Sequence, residues 1–216
     1  MIKIFLISLS LLIFNACSFQ APPNQWQYQS SNAFNSYTKN FLASNEALAK
    51  NDLSRAIKHA KKSADLRMLA RVYLGECALN ISVGIQDECK SYKHISDVVG
   101  DKNLDSYYNF ITLQTVNTKY LDAKYKDFAT ALNMKNFTKA NKALRNITNP
   151  NSKLLCASLI KEHLNSLSRN EMIKTASFYG YKKNVLFWLN EEKERTTNEK
   201  KRVILSKKIK IMSSKD

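Results

Sequence analysis

The chain has 216 residues and a formal net charge of +16, with only four glycines and three prolines. Average usage of about 7% Gly and 5% Pro would supply roughly fifteen and eleven, so sandwiches, barrels and Rossmann domains are disfavoured. Gly75, Gly84, Gly100 and Gly180 stand singly, so no glycine-rich phosphate or dinucleotide loop can be assembled from them. A hydrophobic fraction of 44% and a charged fraction of 24% still suffice for one cored domain or a short repeat array.

The chain begins Met1-Ile2-Lys3 and continues with an apolar run over residues 4–14, broken only by Ser8 and Ser10. The run has the length of a signal-peptide core and falls short of the about twenty residues a membrane-spanning helix needs. It ends in Phe14-Asn15-Ala16-Cys17, which resembles the bacterial lipoprotein signal. Ala16 and Cys17 match that signal's small residue and its obligatory cysteine, whereas Phe14 and Asn15 depart from its usual Leu and Ala or Ser. The resemblance implies cleavage before Cys17 and acylation of its thiol. With Ser18 rather than Asp next, it also implies the outer membrane, facing the periplasm. An ordinary secretory leader with an incidental cysteine is the alternative. Residues 18–36 are rich in Gln, Asn and Ser and hold Pro22-Pro23, the composition of a disordered tether. The expected organisation is a signal peptide over 1–16, a flexible tether over 17–36, a helical-repeat domain over 37–195 and a basic helix or tail over 196–216.

From Tyr37 onward apolar residues recur with a helical period. Leu53, Ala56, Ile57, Ala60 and Ala64 form one stripe, and Leu66, Leu69, Ala70, Tyr73, Leu74, Cys77, Ala78 and Ile81 the next. Others run through Leu104, Tyr107, Tyr108 and Ile111, through Leu121, Tyr125, Phe128 and Leu132, and through Met172, Ile173 and Ala176. Breaks fall at Asn51-Asp52, near Asp65, at 81–85, at 100–103, at Lys135-Asn136, at Asn149-Pro150 and near Gly180. They predict roughly ten helices of about ten to seventeen residues. Ser168-Arg169-Asn170-Glu171 has the spacing of a capping box. No period-two alternation of strands is present, so the fold class is all-α. Short links imply antiparallel helical hairpins.

Residues 47–60 and 131–144 are alike at a separation of 84. Each places a bulky residue, Leu53 or Phe137, three positions before a small one, Ala56 or Ala140. This resembles the centre of a tetratricopeptide repeat, in which the bulky residue opens the second helix and the small one lets two helices approach. Ser44 and Phe128 stand where that family has a first-helix glycine, and 84 is not a whole number of 34-residue periods. The resemblance implies an irregular α-solenoid of stacked helical hairpins.

Cys77 and Cys89, twelve residues apart across a turn containing Gly84, are placed to staple two helices with a disulfide. Zinc is the competing reading, and His59, His94 and His163 lack metal-like spacing with them. Cys156 sits on an apolar stripe with Leu155, Leu159 and Ile160, as a buried thiol would.

Enzymatic chemistry finds little support. Glu46, Glu76, Glu88, Glu162 and Glu171 qualify as glycan-cleaving acids by residue type alone, no separate catalytic domain fits the length, and no serine lies in a strand-turn-helix elbow. The expectation is no enzyme, no cofactor and no metal. Residues 200–215 carry Lys200, Lys201, Arg202, Lys207, Lys208, Lys210 and Lys215 with no acid. As a helix, Leu205, Ile209 and Met212 would share one side, a face for an anionic surface or a partner groove. A solvated basic helix is the alternative, and on either reading removal of the tail should leave the rest of the fold unchanged. Export speaks against nucleic acid as partner. Two functions follow: a lipid-anchored scaffold for another envelope protein, similar in plan to pilotins or to a subunit of the outer-membrane barrel assembly machinery, or a structural envelope protein that binds cell wall or anionic lipid through the basic tail.

Overall fold

The helical periodicity is realised along residues 24–214, the part described by the computed structural model; the leader, Cys17, Pro22-Pro23 and Lys215 lie outside these residues. Among the described residues there are twelve α-helices, two 3-10 turns and no strand. They are α1 (Gln25–Leu42), α2 (Glu46–Ala60), α3 (Arg67–Ser82), α4 (Lys90–Lys93), α5 (Ser96–Val99), α6 (Lys102–Ile111), α7 (Ala123–Asn133), α8 (Phe137–Asn146), α9 (Pro150–Leu159), α10 (Ser166–Phe178), α11 (Lys182–Arg195) and α12 (Glu199–Ser213). The abundant Asn and Asp explain many of the starts. Asp101, Asp122, Asn136, Asn149, Asn165 and Asn198 each stand at an N-cap, where the side-chain oxygen accepts a backbone N–H of the first turn. Pro150 follows Asn149 at the first helical positions, where its missing N–H is no loss.

The architecture is an irregular, solenoid-like stack of helical hairpins. Helices α1 and α2 pair along their length, as do α7 with α8, α10 with α11, and α11 with α12. Between them, α3 packs on α9 and α6. The stack is tied across its length: α1 reaches α11, and the buried Asn184 amide donates to the Ser82 carbonyl at 2.8 Å. One continuous core runs from Ala70 to Leu205, with Phe110, Phe128 and Trp188 fully buried. Two smaller clusters lie under α1 and α2. Close helix contacts use small side chains. Ala56 and Ala140 are both fully buried, and a Cβ on Gly75 of α3 would run into the ring of Phe34 of α1.

Four expectations are corrected. Residues 25–36 of the expected tether belong to α1, because Ala33, Phe34, Tyr37 and Phe41 form a helical stripe and the Ser30 hydroxyl donates to the Ala56 carbonyl at 2.8 Å. The chain does not break at Asn51-Asp52. Helix α2 runs through them with Asn51 facing solvent and Asp52 buried, where Asp52 accepts from Asn40 at 2.7 Å and pairs with Arg55. The turn lies instead at residues 43–45, with Ser44 at φ 68°. Leu53 therefore sits mid-helix whereas Phe137 opens α8, so residues 47–60 are one helix while 131–144 are a helix, turn and helix. Finally, Asn165 rather than Ser168 caps α10: its side chain accepts from the Ser168 N–H at 2.9 Å.

The tail supplies a further correction. Residues 199–213 form α12, whose Leu205 is only 5% exposed within the main core, with Ile209 and Met212 packed against it. The apolar side expected to face a surface or a partner is turned inward, so removing the tail would uncover the core. Leu205→Ala is expected to cost about 3 kcal/mol through lost burial and a residual cavity, measured as a lower urea midpoint at unchanged slope.

Candidate functional site

Among the described residues, α3, α6 and α11 border an open cleft of about 1170 Å³. Tyr73, Glu76 and Ile81 of α3 form one wall, Tyr108 and Ile111 of α6 with Leu113 another, and Leu159, Lys161 and Glu162 a third; Phe187 of α11 closes it. The loop over residues 83–89 makes the rim. Its shape is set at three points. Gly84 takes φ +81° with the Phe187 ring pressed on the place a Cβ would occupy, so that neither the backbone nor the space admits a side chain. Cys77 of α3 is disulfide-bonded to Cys89, with Cα atoms 5.3 Å apart. Asp87 accepts from the Cys89 N–H and from the Asn80 amide, each at 2.8 Å. The expected bridge between Cys77 and Cys89 is present, and it ties the loop ahead of the four-residue α4 back to α3 instead of stapling an antiparallel pair of helices.

The carboxylates of this cleft are unevenly compensated. Burial, with Asp87 beside it, holds Glu76 above the ordinary carboxylate range. Glu162 is held below it, chiefly by the Arg195 guanidinium at 2.7 Å. Cys77, Asp87 and Cys89 bring three potential metal-ligating atoms within 4.8 Å of one another. With its two sulfurs joined, this group offers no thiolate. Glu88 also lines the cleft, exposed and paired with Lys90. The remaining residues singled out from the sequence do not converge. Glu46 pairs with Lys183 and Glu171 with Lys153. His59 lies on α2, His94 follows α4, and His163 stacks on Phe137 with ring centroids 3.3 Å apart. Cys156 is fully buried, and burial drives its thiol far above the usual range, leaving it protonated and inert. Ala56 packs with Ala33 and Val72, Ala140 in the main core.

Sequence reasoning missed the polar centre behind the cleft. Glu192 of α11 is completely buried. One carboxylate oxygen receives Arg169 of α10 at 2.6 Å, and the other receives Ser166 at 2.6 Å and Lys201 of α12. Its neighbour Glu191 holds Lys161 at 3.0 Å and Arg195 at 3.1 Å, and Arg195 in turn holds Glu162. No local motif announces this cluster, since its members come from three helices and the 3-10 turn Lys161–His163. Within the basic tail, Lys201 is thus a buried-pair partner and Arg202 is matched to Glu199 at 2.9 Å, whereas Lys200, Lys207, Lys208 and Lys210 are exposed.

No protein-family model matches the chain, and no curated protein or solved structure is significantly similar to it.

Burial alone would raise Glu192, but the hydrogen bonds from Lys201, Ser166 and Arg169 outweigh it and hold the carboxyl below its ordinary range. A carboxyl depressed in the folded state adds stability above its unfolded value of about 4.3. That stability is lost as the pH falls through the folded value. Glu192→Gln should therefore cost about 3 kcal/mol at neutral pH, because two cations lose their buried partner. The gap to the parent protein should narrow on acidification below about pH 4, as followed by urea unfolding across pH.

Proposed function

We propose that the chain is an outer-membrane lipoprotein, anchored through Cys17 and facing the periplasm, whose helical domain receives a segment of another envelope protein in the cleft beside Cys77–Cys89. The assembly served would be of the pilus, secretion or outer-membrane-biogenesis kind. The observation that carries this reading is the form of the cleft. It is open, its walls combine Tyr73, Tyr108, Ile111, Leu159 and Phe187 with carboxylates and lysines, and it presents Ile85 of the rim at 47% and Leu113 beside α6 at 59% exposure. Aromatic walls inside a polar border are the composition of protein-recognition surfaces. A rim fixed by a disulfide and by Asp87 loses little conformational freedom when a partner docks.

Photoreactive side chains placed at Ile85 and at Leu113 in the full chain should each yield one adduct of the same partner in intact cells. Ile85→Glu combined with Leu113→Glu should cut recovery of that partner about tenfold or more, the scale of losing one desolvated contact pair, with no change in helix content or melting. Adducts confined to wall material would overturn the docking reading. The anchor has its own test. Cys17→Ser removes the only group of the signal able to accept a diacylglycerol, so unprocessed precursor should accumulate and mature protein should vanish from the outer-membrane fraction. Normal processing of that variant would sink the lipid anchor.

A further inference from the structure

Helix α12 has two apolar faces. At 3.6 residues per turn, Leu205, Ile209 and Met212 fall on the side packed into the core. Val203, Ile204 and Ile211 fall on the opposite side, where they are 46%, 53% and 74% exposed. Lys200 and Lys207 stand among them and Lys210 and Lys208 at their two margins, all exposed and none in an ion pair among the described residues. Residues 200–210 contain no acid. The helix is already docked by Leu205 and by the Lys201–Glu192 pair, so this outer face is presented ready-made and needs no folding on contact.

We infer that the outer face of α12 lies on an anionic phospholipid bilayer. Val203, Ile204 and Ile211 enter the boundary between headgroups and acyl chains while Lys200, Lys207, Lys208 and Lys210 extend to the phosphates. A dissolved polyanion would satisfy the lysines and leave the three aliphatic side chains in water. A bilayer surface satisfies both. Helix α8 supplies the contrast: Lys139, Lys142 and Arg145 are exposed on it with no exposed large apolar side chain of its own, a solvated cationic ridge. The inference stands apart from the cleft and does not depend on a protein partner or on acylation.

The cysteine arrangement allows a local test. In the chain from residue 18 onward, free of the apolar leader and of Cys17, and carrying Ile204→Cys, the new thiol is the accessible one, since Cys77 and Cys89 are bonded and Cys156 is buried. A bimane attached there should shift to the blue on vesicles of phosphatidylcholine with phosphatidylglycerol, and not on phosphatidylcholine alone. The shift should revert in about 1 M salt, where charges are screened within about 3 Å. The same probe on Lys142→Cys in α8 should stay aqueous. Changing Lys200, Lys207, Lys208 and Lys210 to Gln should raise the lipid concentration for half-maximal shift about a hundredfold, most of the attraction expected of four lysines at an anionic surface. The inference fails if the probe at 204 stays aqueous, if positions 204 and 142 respond alike, if neutral vesicles serve equally well, or if soluble polyphosphate alone produces the shift.

Discussion

A carboxylate taken wholly out of water is unstable unless its lone pairs are met, and in this protein that demand falls on Glu192. It is met by Arg169, Ser166 and Lys201, which come from α10 and α12, so satisfying one side chain fixes the positions of three helices at once. Arg169 also donates to the Leu164 carbonyl, at the end of the 3-10 turn beside the cleft. The preceding acid, Glu191, reaches Lys161 of that turn. Two consecutive acids on α11 thereby set both the seat of the C-terminal helix and one wall of the cleft. Apolar packing around Trp188 and Leu205 supplies the bulk of the burial here, but packing is tolerant of small slides, and ion pairs of this geometry are not.

Much of the architecture was legible because period and punctuation agree. The stripes through Leu66 to Ile81 and through Leu121 to Leu132 lie in α3 and leading into α7, and Asn149-Pro150 and Gly180 mark turns. Where composition and periodicity disagreed, composition misled. The Gln, Asn and Ser of residues 25–36 suggest a tether, yet Ala33, Tyr37 and Phe41 recur at helical spacing and decide the matter. Asn51-Asp52 carries a turn signal locally, but Asp52 finds two partners from its helical position and the signal is overridden. The cleft itself was not legible. Its walls come from α3, α6, α9 and α11, brought together by contacts as long as that between Ser82 and Asn184, which no single-sequence pattern encodes.

The charge balance takes on a different meaning once the acids are located. Asp52, Asp87, Asp105, Glu191 and Glu192 are engaged with neighbouring side chains, helix ends or loops; the Tyr92 hydroxyl, for instance, donates to Asp105 at 2.6 Å. Of these, Asp52, Glu191 and Glu192 are buried, so part of the negative charge is spent on internal order, while Lys139, Lys142, Lys200 and Lys207 face outward. The residues from 128 to 161 contain no acid at all. With a formal net charge of +16, the molecule is drawn to anionic surroundings in general before any specific contact is made.

The cysteines impose a consequence for how the protein comes to be assembled. Among Cys77, Cys89 and Cys156 three pairings exist on paper, but thiol–disulfide exchange needs an exposed thiolate, and Cys156 is sealed in the core with its thiol held protonated. Once α9 has packed against α3, the wrong pairings are closed off by geometry. The crosslink between Cys77 and Cys89 is then protected from reshuffling for as long as the core stays shut. Fidelity of oxidation is thus a property of the order in which helices pack, and a chain oxidised before α9 docks would be the one exposed to error.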